Sequence, residues 1–167
     1  LQPKVQTYDY FKPGDDLPQP RPMLIRVSDK SLRSVTNDLF SNFFTEDGQL
    51  DIRWSPDGRE FYFDYNQRGH QLYRLIAVNA TNAAVRVVVE ETSRTFVDYS
   101  NKTWREWLDP TGELLWMSER DGWNHLWLYD VAKGAVKNQV TRGDWVVRKV
   151  VKVDAGKRQV WFLASGL

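Results

Sequence analysis

The sequence predicts an all-β fold: a partial antiparallel β-propeller of about three four-stranded blades, truncated at both ends. Three observations lead to it. Short runs rich in aromatic and β-branched residues recur along the chain, each bounded by Gly, Pro, Asn or Asp. Aromatic residues make up 14% of the chain and include 8 Trp, a composition suited to pleated, half-buried surfaces. The turn glycines Gly58, Gly112 and Gly156 return roughly every 45 to 55 residues, the period of a blade of four antiparallel strands.

Residues 1–22 read as an extended connector, because the stretch 12–22 (KPGDDLPQPRP) loses backbone donors at its prolines and gains positive φ at its glycine. Residues 23–49 read as the end of a blade and a linker. Within them, 23–28 (MLIRVS) is a strand completing a blade begun upstream, and 28–42 is polar with room for a helical turn. Residues 50–101 form a blade with strands at 51–55, 60–65, 71–78 and 85–89, separated by turns at 56–58, 67–69 and 80–82. Residues 102–145 repeat the pattern, with strands at 103–108, 113–118, 124–130 and 135–140. Residues 146–167 start a further blade, with strands at 146–153 and 159–164. A cut propeller leaves blade edges unpaired, so self-association through them is expected. The opening residues 1–4 (LQPK) have neither Met nor the make-up of a signal peptide, and a piece of something longer is expected.

Several functions are disfavoured. Net charge is +1 with Lys and Arg dispersed, so no basic stripe invites nucleic acid. The chain has no Cys, which excludes disulfides, thiolate chemistry and Cys-bound metal. No apolar run approaches the roughly 18 residues of a membrane-spanning helix. There is no Gly-x-Ser-x-Gly elbow, His-Glu-x-x-His pair or EF-hand loop, so no catalytic residue, metal or cofactor is expected. His70 and His125 lack an evident nucleophile or orienting acid and read as structural or surface residues. Glu90 and Glu91 alternate across a strand and read as a solvated strand end. Trp54, Trp107, Trp116 and Trp127 read as core, while Trp123 and Trp145 flank turns. Asn79 and Asn101 open sequons.

Four stretches carry a resemblance. They are TYDYFKPGD at 7–15, WSPDG at 54–58, SERDGWNHL at 118–126 and TRGDWVV at 141–147. In this order they resemble the propeller of dipeptidyl-peptidase IV-like serine exopeptidases of the prolyl oligopeptidase class, whose connector reads Tyr-Pro-Lys-x-Gly and whose bacterial members carry SERDGWNHLY. Such enzymes join an N-terminal propeller to a C-terminal α/β-hydrolase and remove dipeptides, usually with Pro or Ala second. The resemblance implies a non-catalytic propeller segment that gates or positions peptide substrate for a hydrolase domain. It also implies a periplasmic, secreted or membrane-anchored extracytoplasmic setting. The family's paired Glu that holds the substrate amino terminus lies upstream of the connector, so Glu90 and Glu91 do not correspond to it.

If the strands of each blade run in order outward, the turns 67–70 and 120–123 and the long connection 92–102 (TSRTFVDYSNK) share one face. In the resembled family the last of these approaches the substrate cavity. That makes Tyr99 and Asn101 the rim candidates, although the family's basic contact is missing from VDYSN. The alternative is a propeller module that binds a protein or a glycan. A glycoside hydrolase with two working carboxylates ranks last, because the acids sit mostly in turns.

Overall fold

The structure, a computed structural model, describes residues 3–7, 11–45 and 48–166. Tyr8, Asp9 and Tyr10 of the connector stretch lie outside the described residues. Among the described residues the chain forms twelve strands: β1 (Met23–Ile25), β2 (Leu32–Ser34), β3 (Arg53–Trp54), β4 (Glu60–Asn66), β5 (Leu72–Asn79), β6 (Val85–Thr92), β7 (Arg105–Leu108), β8 (Glu113–Ser118), β9 (His125–Asp130), β10 (Ala135–Gln139), β11 (Val146–Asp154) and β12 (Gln159–Ser165). Helix is confined there to a single 3-10 turn, Asp109–Thr111, opened by Pro110. The strands make two four-stranded antiparallel sheets, β3-β4-β5-β6 and β7-β8-β9-β10, and two hairpins, β1-β2 and β11-β12. This is an open, partial propeller. Among the described residues no helix is long and apolar enough to cross a membrane.

The central strands read as almost unbroken apolar runs because both faces of each sheet are covered. Phe61, Phe63 and Tyr65 of β4 meet Val35, Phe40 and Phe43 on one side of the first sheet. Tyr62, Tyr73, Leu75 and Ala77 face the other way, against Leu114, Trp116 and Tyr129 of the second sheet. The second sheet in turn presents Leu115, Met117, Leu126 and Leu128 to the β11-β12 hairpin. Each fully buried side chain of this size contributes about 1.5–3 kcal/mol, so these successive interfaces hold the sheets in a row.

Polar bonds cross the same interfaces. Arg105 of β7 reaches the Asp64 carboxylate of β4 at 2.5 and 2.7 Å. Arg53 of β3 reaches Asp109 at 2.6 Å and lies 4.2 Å from the Trp107 ring centroid. Arg86 of β6 holds Glu60 through two nitrogens and donates its third to the Val131 carbonyl at 2.8 Å. The Arg105–Asp64 pair joins the two sheets directly, and Arg53–Asp109 joins the first sheet to the turn between β7 and β8.

Three local expectations change. The segment 28–42 contains β2 and not a helical turn. Asp29 accepts from the Ser31 amide and hydroxyl, Lys30 takes φ 56°, and the chain reverses to pair β2 with β1. At the last hairpin the positive φ falls on Arg158, at 56°, and not on Gly156. Trp54 is 51% exposed, since β3 is two residues long and lies at the edge of its sheet. By contrast Trp116 is buried and Trp107 and Trp127 are half-buried. The connector is tied to the first sheet and the segment before it: Gln19 bonds both backbone groups of Phe43, and Arg68 donates to the Lys12 and Asp15 carbonyls.

Candidate functional site

The first four-stranded sheet hands over to the second through residues 93–104, a long connection that is tied down along its length. Ser93 Oγ accepts from the amides of Thr95 and Phe96, and Gln71 donates to the Arg94 carbonyl at 2.9 Å. The Val97 amide donates to the His70 carbonyl at 2.7 Å. Asp98 accepts from the backbone and side-chain amides of Asn101, and Thr103 donates to the Tyr99 carbonyl at 2.6 Å. Lys102 Nζ then reaches Glu119 across to the β8–β9 turn, at 2.7 Å. A segment with this many local bonds is held in one shape before any ligand arrives.

Its centre is aromatic. Tyr99 stacks on His70 with ring centroids 4.7 Å apart, and Phe44 and Phe96 meet His70 edge-on at 4.6 and 5.4 Å. His70 is placed by its positive φ of 57° and by Nδ1, 3.1 Å from Asn66 Oδ1. Against that carbonyl Nδ1 carries the hydrogen, which leaves Nε2 as the ring's acceptor. Burial pushes the His70 pKa below its usual value, so the neutral ring is favoured. Phe96 and Trp123 stay 50% and 40% exposed, large apolar surfaces turned to solvent.

The β8–β9 turn is anchored from below by a charge on the preceding sheet. Glu91 of β6 accepts from Trp116 Nε1 at 2.9 Å, from Ser118 Oγ at 2.8 Å and from Arg120 Nη2. Ser118 Oγ also accepts from the Arg120 amide and Nε. Glu91 is therefore buried and not a solvated strand end, while Glu90 is exposed and pairs with Arg74. The cause is register: β6 runs on to Thr92 with a bulge opposite Leu75 and Ile76, which turns Glu91 into the contact with the second sheet. Between this cluster and the loop lies a cavity of about 110 Å³, bordered by Thr92, Phe96, Lys102, Ser118 and Arg120. A wider opening of about 300 Å³ runs beside it past Phe44, Asp51, Tyr73 and Tyr99.

The structure thus brings the turn at 67–70 into contact with the long connection at Val97, and the β8–β9 turn reaches it through Glu119. Tyr99 sits half-buried at the middle of the aromatic group, and Asn101 is exposed, its amide spent on Asp98. Phe44, Glu91, Lys102 and Glu119 join the site without having been singled out for it in the sequence; the turn Gln67-Arg68-Gly69 leading into His70 was the available signal. His125 lies elsewhere, fully buried. Its Nε2 donates to the Gly143 carbonyl, and its Nδ1 accepts from Thr141, whose oxygen also accepts from the Leu126 amide. Ser118 and Thr141 hydroxyls are likewise committed to internal bonds. Among the described residues no three His, Asp or Glu side chains converge on a metal position. What the face offers is stacking surface and fixed charges.

Residues 1–166 match the family model described as the dipeptidyl peptidase IV N-terminal region. A stretch of 49 residues is 37% identical to a protein named probable dipeptidyl peptidase 4 from Aspergillus fumigatus, covering 29% of this chain and 6% of that protein. The protein of the same name from Neosartorya fischeri matches with the same identity and the same coverage, 29% and 6%. The chain thus corresponds to a small part of the length of these relatives. The crystal structure of Porphyromonas gingivalis dipeptidyl peptidase 4 superposes with a TM-score of 0.63 at 21% identity, over 86% of this chain and 20% of that one. That likeness is one of fold.

Proposed function

Because the chain belongs to the family of the dipeptidyl peptidase IV N-terminal region, we propose that its three-loop face gates or positions peptide for the hydrolase domain of a serine dipeptidyl-peptidase. The observation that carries the reading is the preordered aromatic rim. Tyr99 is stacked on His70 and Phe96 packs against both rings while staying half-exposed, so an extended peptide meets aromatic surface that needs no further ordering. The chain's part is to bind and orient, and the hydrolase domain supplies nucleophile, base and oxyanion hole. Such a protein belongs outside the cytoplasm: periplasmic, secreted or membrane-anchored.

The test uses the protein that joins this segment to its hydrolase domain. Tyr99→Ala and Trp123→Ala each remove one aromatic contact of about 0.5–1.5 kcal/mol, so KM for peptides is expected to rise about two- to tenfold with kcat within about twofold. Asn101→Ala leaves its backbone bond to Asp98 intact and is expected to cost less than about 0.5 kcal/mol of stability. Wild-type kinetics in all three variants, across peptides of several lengths, would reduce the face to ordinary surface.

Self-association belongs to the same reading. The β1-β2 hairpin exposes Met23, Ile25 and Leu32, and the β11-β12 hairpin exposes Val151, Trp161 and Leu163. Two-stranded sheets with open edges are poorly stable alone, and a second copy of this chain is the proposed cover. Light scattering of the chain, with and without residues 1–22, is expected to show a dimer or larger species. A monomer in both forms at high concentration argues against it.

A further inference from the structure

We infer that Glu91 is a positioning residue for the rim: through Arg120 it holds the β8–β9 turn against the loop 93–104, and so sets peptide affinity without touching peptide. The inference rests on the rim reading above and adds the element that keeps the rim assembled. Glu91 is 9% exposed and sits on a different sheet from the turn it secures. Trp116 Nε1, Ser118 Oγ and Arg120 Nη2 saturate its carboxylate. Arg120 belongs to a solvent-facing turn, yet its guanidinium folds inward and lies 5.1 and 5.3 Å from the Trp127 and Tyr129 ring centroids. A cation takes that place only opposite a fixed anion, since desolvating it unpaired is costly. Without the charge on Glu91, Arg120 regains water by swinging outward, and the turn goes with it. Glu119, the residue before it, then loses Lys102, and the cavity of about 110 Å³ between the turn and the loop opens. The chain of contact is therefore β6 carboxylate, turn arginine, turn glutamate, loop lysine, rim.

The experiment measures peptide kinetics in the protein carrying its hydrolase domain. Glu91→Gln keeps shape and removes charge; it is expected to raise KM about tenfold and leave kcat within about twofold. Lys102→Ala cuts a later link and is expected to raise KM about threefold. Because both act through one path, the double variant is expected to match Glu91→Gln alone, since residues in one network do not add. Additive effects, about thirtyfold, overturn the inference, as does an unchanged KM in Glu91→Gln. If Glu91→Gln fails to fold, Glu91→Gln with Arg120→Met removes the stranded cation. A folded double variant of this kind with wild-type KM also overturns it. The two readings fail separately. Tyr99→Ala and Trp123→Ala without effect sink the rim itself, whereas a raised KM in those two and none in Glu91→Gln sinks only the role of Glu91.

Discussion

Gly134→Ala is expected to destabilise the chain by about 2–5 kcal/mol, read as a lowered urea midpoint at unchanged slope. Gly134 closes the turn between β9 and β10 with φ 60°. A Cβ there would stand 2.6 Å from the Val87 carbonyl oxygen and 3.4 Å from Val88 Cα. Those atoms are backbone of β6, at its bulge, so no side chain can rotate away. The left-handed conformation costs a non-glycine residue about 1–2 kcal/mol, and overpacking a filled contact adds about 1–3 kcal/mol. Gly58→Ala is the control. Its φ is 67° but nothing lies within 4 Å of the added Cβ, so only the conformational cost of about 1–2 kcal/mol applies. Equal losses at the two positions would refute the close approach of the second sheet to β6.

Acid is expected to loosen the contact between the second sheet and the last hairpin. Glu113 begins β8 and is 5% exposed, while its partners Lys137 and Arg158 are 46% and 49% exposed. Arg158 bonding foremost, against an opposing push from burial and with help from Lys137 and Thr111, lowers its pKa from 4.5 to about 2. The folded value lies below the unfolded one, so the contribution is complete above about pH 4.5 and disappears as pH falls towards 2. The full difference corresponds to about 3 kcal/mol; solvent around the two cations reduces the expected contribution to about 1–2 kcal/mol. Glu113→Gln should lose that amount at pH 7 in urea unfolding and differ little from the parent near pH 2. A gap that stayed constant from pH 7 to pH 2 would show that the charge of Glu113 contributes nothing.

Strand positions, turns and the repeat were legible in the sequence because they depend on local chemistry. The aromatic run in residues 60–66, the Pro-Asp-Gly turn at 56–58 and the return of the same order after Gly112 each arise within a few residues of one another. The motifs that carried the family resemblance are of the same kind, short and contiguous. What the tertiary structure decided lies between sheets. Glu91 and Glu90 are neighbours with the same composition around them, yet one is buried on Trp116 and Arg120 and the other pairs with Arg74 in water. Trp54 and Trp116 both sit in strands, but Trp116 is covered by Tyr73 and Glu91 of the first sheet while Trp54, on edge strand β3, stays 51% exposed. Gly58 and Gly134 both take positive φ at turns, and only Gly134 has another sheet's backbone against it. In each pair the local sequence specifies conformation, while burial follows from residues 25 to 47 positions away, which hairpin geometry alone does not bring together.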